Sequence, residues 1–115
     1  MKNANEQFQD FTGTTEWYMH FTGLLYTDGI KALVENFQCY WLVDLVASYQ
    51  HHQAVKGESF QTWQLTRVKA DSFKATCTDG NDRKLVDQFI PFSDFDADVV
   101  KLYLANGVLL LPSEY

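Results

Sequence analysis

The chain has 115 residues, 46% of them hydrophobic and 16% aromatic, with 9 basic and 15 acidic side chains for a formal charge of −6. Surface scaling gives about 6,400 Å² folded against about 19,000 Å² unfolded at this mass, so a single core suffices without disulfide or metal staples. The apolar fraction excludes a disordered chain, and no apolar run approaches the ~20 residues of a bilayer-crossing helix.

The first ten residues, Met1 to Asp10, are polar and are read as a disordered N-terminus, followed by a single domain over residues 11–115. Short aromatic-rich runs, Trp17-Tyr18-Met19-His20 and Leu24-Leu25-Tyr26, flank Gly23 and predict a small hairpin. From Thr27 the period becomes helical. Ile30, Leu33, Val34 and Phe37 recur at i, i+3, i+4 and i+7, and Thr27 or Asp28 can cap the start. A second helix from about Cys39 to Gln50 is apolar around most of its circumference and must be largely buried. Residues 36–38 either kink or separate the two.

After the break at residues 51–57 the period shortens to two. Trp63 and Leu65 share one face, and Phe73, Ala75 and Cys77 share another. With turn chemistry at residues 70–72 and 79–82 and a third run from Leu85 to Phe92, a three-stranded antiparallel meander is predicted. Ser93-Asp94-Phe95-Asp96 fits a helix-start signature, with Asp94, Asp96 and Asp98 at the positive end of the dipole. Phe95, Val99, Leu102 and Tyr103 would form the buried stripe of that third helix, and Asn106-Gly107 its left-handed stop. Val108 to Leu111, halted by Pro112, reads as a last, buried strand. The expected fold is α+β, a mainly antiparallel sheet with about three helices packed on one face.

Both ends of the chain are acidic, and only Arg67, Lys69, Lys74, Arg83 and Lys84 could form a basic face. Nucleic acid is therefore not an expected ligand, whereas an acidic surface suits a protein partner with a basic one. Cys39 and Cys77 lack any metal-type spacing and are read as buried free thiols, and the basic-then-apolar start of a secretory signal is missing. The expectation is a cytoplasmic protein with no membrane, metal or cofactor requirement. Nucleotide and hydrolase motifs of the GxGxxG, GxxxxGK[ST] and GxSxG kinds do not occur.

Asp44 is the most suggestive single residue, because it stands among Trp41, Leu42, Val43, Leu45 and Val46. A carboxylate there must be exposed, paired or shifted in pKa. Ser48 and His52 follow at i+4 and i+8 and superficially evoke a hydrolase triad. On one helix, though, hydroxyl and imidazole project side by side, and no oxyanion loop accompanies Ser48. Asp44 is instead expected to locate the second helix on the sheet by accepting hydrogen bonds from backbone or an indole N–H. His20, His51 and His52 with Asp28 lack the H-x-x-x-H spacing of a metal site. The tyrosines and tryptophans exceed what a small core needs and suggest an exposed patch for a partner or a homodimer.

Four stretches carry a further signal: Glu16-Trp17-Tyr18, Tyr26-Thr27-Asp28-Gly29, Tyr40-Trp41-Leu42 with Asp44 and Ser48-Tyr49-Gln50, and Leu102-Tyr103-Leu104 through Gly107 to Tyr115. Together, over residues 11–115, they resemble a family of small bacterial, phage and plasmid proteins classed as a domain of unknown function. The resemblance implies an accessory protein often carried on mobile DNA, and it brings no catalytic residues. Residues and resemblance together suggest a non-enzymatic binding protein. The expectation is a mobile-element-encoded inhibitor of a bacterial defence system, anti-CRISPR-like, that binds its target stoichiometrically. Its candidate contact residues are Asp94, Asp96 and Asp98, with Glu16 and Trp17. Two alternatives stand beside it: a small-molecule binder or minor enzyme with a pocket of Trp17, Tyr40, Asp44 and Ser48, and a self-assembling structural subunit.

Overall fold

Period-two alternation governs most of the chain beyond residue 58, and the structure turns it into one sheet. A computed structural model describes residues 1–115. Seven strands run in the order β1-β2-β7-β6-β3-β4-β5. They are β1 (Trp17–Met19), β2 (Leu25–Thr27), β3 (Phe60–Lys69), β4 (Ser72–Thr78), β5 (Lys84–Ile90), β6 (Val99–Ala105) and β7 (Val108–Leu110). Every neighbouring pair is antiparallel except β2 and β7. Two helices, α1 (Asp28–Asn36) and α2 (Tyr40–Ser48), connect β2 to β3. The class is α+β, as the sequence predicts, with two α-helices rather than three.

Register explains where the core lies. Trp63 pairs with both Cys77 and Leu102, and Leu65 with both Ala75 and Val100, so all six side chains share one face of three adjacent strands and all are buried. Ile30, Leu33 and Val34 of α1 and Leu42, Val43, Val46 and Ala47 of α2 complete the same core cluster. The folded chain exposes 6454 Å², the area that scaling gives for its mass. Just past the end of α2, Tyr49 places its ring 5.6 Å from that of Trp63. Gln50 and Gln61 exchange amide hydrogen bonds of 3.0 and 2.9 Å, and the Trp63 indole donates to the Gln61 oxygen at 2.9 Å. This satisfied amide pair fastens the end of α2 to β3, a role the sequence reading gave to Asp44.

Asn36 to Gln38 separates the helices rather than kinking one. Thr27 caps α1 by accepting from the Ile30 amide. At the other end Gln38 takes a left-handed φ of 52° and turns the chain into α2.

The third helix expected after residue 93 is replaced by an irregular segment, residues 91–98, and strand β6. Asn106 and Gly107 have φ of 51° and 84° and form the two-residue turn between Ala105 and Val108 of β6 and β7. A doubly left-handed turn matches the twist of a hairpin, so the dipeptide closes a hairpin instead of ending a helix. Val100, Leu102 and Leu104 are buried while Val99, Lys101 and Tyr103 are half-buried, an alternation that a helix would scramble.

Residues 1–10, where the sequence predicts disorder, carry a 3-10 helix over Ala4–Phe8 capped by Asn3, with Ala4 and Phe8 buried. At the other terminus Glu114 turns back onto α1. Its carboxylate accepts from the Thr27 hydroxyl at 2.6 Å, the Leu111 amide at 2.9 Å and the Gly29 amide at 3.2 Å. A Cβ at Gly29 would lie 2.6 Å from the Glu114 oxygen, so only glycine leaves room for this contact.

Candidate functional site

Residues 91–98 owe their shape to Arg67. Its guanidinium lies 4.6 Å from the Phe73 ring centroid, binds Asp98 through Nε at 3.0 Å, and donates to the carbonyls of Ala70, Phe95 (3.1 Å) and Ala97 (3.0 Å). Ser93, Phe95 and Ala97 are thereby buried, with Phe95 packed on Phe37 and Phe73 at ring distances of 5.3 and 5.8 Å. Asp94 and Asp96, which alternate with them, are left exposed.

The three aspartates consequently have different roles. Asp98 accepts from the Lys2 backbone amide at 2.6 Å and from Arg67, and these bonds, the Lys2 amide first, hold its carboxyl below the ordinary value of 3.8. It is a joint within the fold. Asp96 meets the Lys2 ammonium at 3.3 Å. Asp94 enters no ion pair and no hydrogen bond.

Two adjoining cavities share Asp94 as a common wall. One, of about 280 Å³, is lined by Trp41, Ile90, Phe92, Ser93 and Asp94. The other, of about 340 Å³, is lined by Lys2, Gln7, Asn36, Phe37, Gln38, Asp94 and Asp96. The first is mainly apolar and the second mainly polar, so the cleft changes chemistry at a carboxylate. Its walls come from the α1–α2 junction, the N-terminal residues and the segment after β5.

The remaining candidate residues lie elsewhere. Glu16 and Trp17 are at β1, the sheet edge opposite β5, with Trp17 57% exposed. Tyr40, Asp44 and Ser48 line the exposed side of α2. Asp44 pairs with Nε2 of His20 at 2.6 Å, and the Ser48 hydroxyl donates to the Leu45 carbonyl at 2.7 Å. Neither these three residues nor Trp17 borders either cavity or the third, of about 200 Å³, which lies between residues 22–24 and 47–51. Asp28 is engaged by the Thr15 amide and hydroxyl and by the Tyr18 hydroxyl.

No three histidine, cysteine or carboxylate side chains converge as a metal site would require, and no helix is long and apolar enough to cross a membrane. Cys39 and Cys77 are buried free thiols, each pushed up to about 12 chiefly by that burial.

Among known families the chain matches DUF6876, described as a family of unknown function, over residues 2–115. The chain belongs to this family. No curated protein and no solved structure matches it. What a DUF6876 protein can do must therefore be argued from its surface. The cleft around Asp94 is the strongest site on this one, and sequence reasoning found only its aspartates. Lys2, Trp41, Ile90 and Phe92, which help to complete it, come from three separate stretches of chain.

Proposed function

We propose that the protein is a non-enzymatic, cytoplasmic binding module that engages a basic protein surface stoichiometrically through the Asp94 cleft. Asp94 carries this reading: it is an exposed, unpaired carboxylate at the meeting point of an apolar and a polar cavity. Apolar burial supplies affinity while the carboxylate orients a cationic partner. The net charge of −6 adds long-range attraction to the same class of target. A bacterial defence protein whose own ligand is nucleic acid, such as a CRISPR effector, offers the basic surface this chemistry fits. That identification also rests on the association of such families with mobile DNA.

The test pairs binding with biology. Purified CRISPR effector is titrated with wild type and with the Asp94→Lys/Asp96→Lys variant, while cells carrying an active effector and the protein are challenged with targeted phage. The reading predicts one-to-one binding that weakens with salt, restored phage growth, and loss of both in the variant. Binding that survives charge reversal unchanged would remove the cleft from the mechanism.

A further inference from the structure

Taking the reading of the cleft as a basic-partner site, we propose what it recognises: an apolar side chain closely followed by an arginine or lysine, with Lys2 occupying the cation's place in the free protein. The Lys2 ammonium sits 3.3 Å from the Asp96 carboxylate and 5.7 Å from the Phe37 ring centroid. A carboxylate wall beside an aromatic face is the chemistry that holds an ammonium or a guanidinium. The polar cavity thus already displays its ligand class, supplied by the chain itself.

Lys2 leaves the site half-filled. It satisfies Asp96, while Asp94 in the same cavity has no partner. A guanidinium has donors enough to bridge both carboxylates, which a single ammonium on Asp96 does not. Across Asp94, the indole of Trp41, Ile90 and the 70%-exposed Phe92 ring offer an apolar pocket for a neighbouring side chain. The hold on Lys2 is weak enough to be exchanged, because its side chain is 47% and that of Asp96 88% exposed. Its backbone is not free to leave: the amide binds Asp98, and the carbonyl accepts from the Asp98 and Val99 amides at 2.7 and 3.2 Å. Substituting the side chain therefore empties the cation seat without releasing the segment.

The experiment follows backbone amide and Trp41 indole shifts by NMR during titration with three capped peptides. These are N-acetyl-Leu-Gly-Arg-amide, the same peptide with Gln for Arg, and N-acetyl-Gly-Gly-Arg-amide. The proposal predicts saturable shifts at Trp41, Phe92 and Asp94 with the first and at least tenfold weaker binding of the other two. Lys2→Gln should tighten the first peptide about three- to tenfold, the range expected when an exposed ion pair and a cation–aromatic contact stop competing. Asp94→Asn should weaken it about tenfold. Equal binding of the Gln peptide, equal binding of the peptide without leucine, no saturable binding of the first, or a Lys2→Gln variant that binds no tighter would each overturn it. If the peptides fail while an effector still binds in a manner sensitive to charge at Asp94 and Asp96, this inference falls and the broader reading stands. The reverse pattern retains the inference and discards the effector as partner.

Discussion

Removing the Glu114 side chain is the most direct probe of how the chain is held together. Glu114→Ala deletes one carboxylate that takes hydrogen bonds from Thr27, Leu111 and Gly29, all buried. Gly29 lies in the first turn of α1, so the carboxylate also faces the positive end of a helix dipole. Two backbone amides lose a charged acceptor at about 1 kcal/mol each, and the dipole term adds about 0.5 to 1, for a total near 3 kcal/mol. A domain of this size is stable by roughly 6 to 17 kcal/mol, so the variant should fold. Its melting temperature should fall by about 10 °C. Urea and thermal unfolding followed by circular dichroism measure both. Glu114→Gln, which keeps the shape and one oxygen, should lose about half as much. A loss below about 0.5 kcal/mol for Glu114→Ala would show that water replaces the carboxylate, and the tail would then be ornamental to the fold.

Arg67→Ala should cost about 2 to 3 kcal/mol, since a partly buried fork holding Asp98 and three carbonyls is removed; chemical denaturation reports it, and a value near zero would contradict the organising role of this residue. The protein should lose stability in acid. Asp28, Asp79, Asp87 and Asp98 all have depressed folded-state pKa values, led by backbone hydrogen bonds or, for Asp87, by Lys84. Their contribution is complete above the ordinary carboxyl value of 3.8 and disappears as pH falls through the lower folded-state values. Asp28→Asn should flatten the profile of melting temperature against pH in that window, and an unchanged slope would assign the acid sensitivity elsewhere. Cys39 and Cys77, buried and held as thiols, should react with an aromatic disulfide reagent only after unfolding. Rapid labelling of the native protein at neutral pH would contradict their placement.

Much of the architecture is legible because burial imposes a period. Ile30, Leu33 and Val34 announce α1, and the alternation around Trp63, Leu65, Phe73 and Ala75 announces the central strands. Residues 93–107 are misread because two signals there are ambiguous in sequence. Ser93-x-x-Asp96 resembles a helix start, yet the Ser93 hydroxyl accepts from Phe95 in a local turn whose course Arg67 dictates. Asn106-Gly107 ends helices and closes hairpins equally well, and only pairing with β3 and β7 decides. The cleft was visible only in part, because Asp94 acquires its meaning from Trp41 and Lys2, which pattern reasoning had no means of bringing near it.

Strand β6 is longer than the β7 partner beside it, so its residues 99–101 have a flank that β7 does not cover. The N-terminal backbone covers that flank at Val99, whose amide donates to the Lys2 carbonyl at 3.2 Å. Asn5 covers it at Lys101 with a side chain, accepting from the Lys101 amide at 2.7 Å and donating to its carbonyl at 2.8 Å. An amide that imitates a peptide group thus stands guard over an otherwise adhesive edge. Conditions that peel the first few residues away would leave a short template for strand addition, and clumping of native-like molecules could then begin long before the core itself gives way.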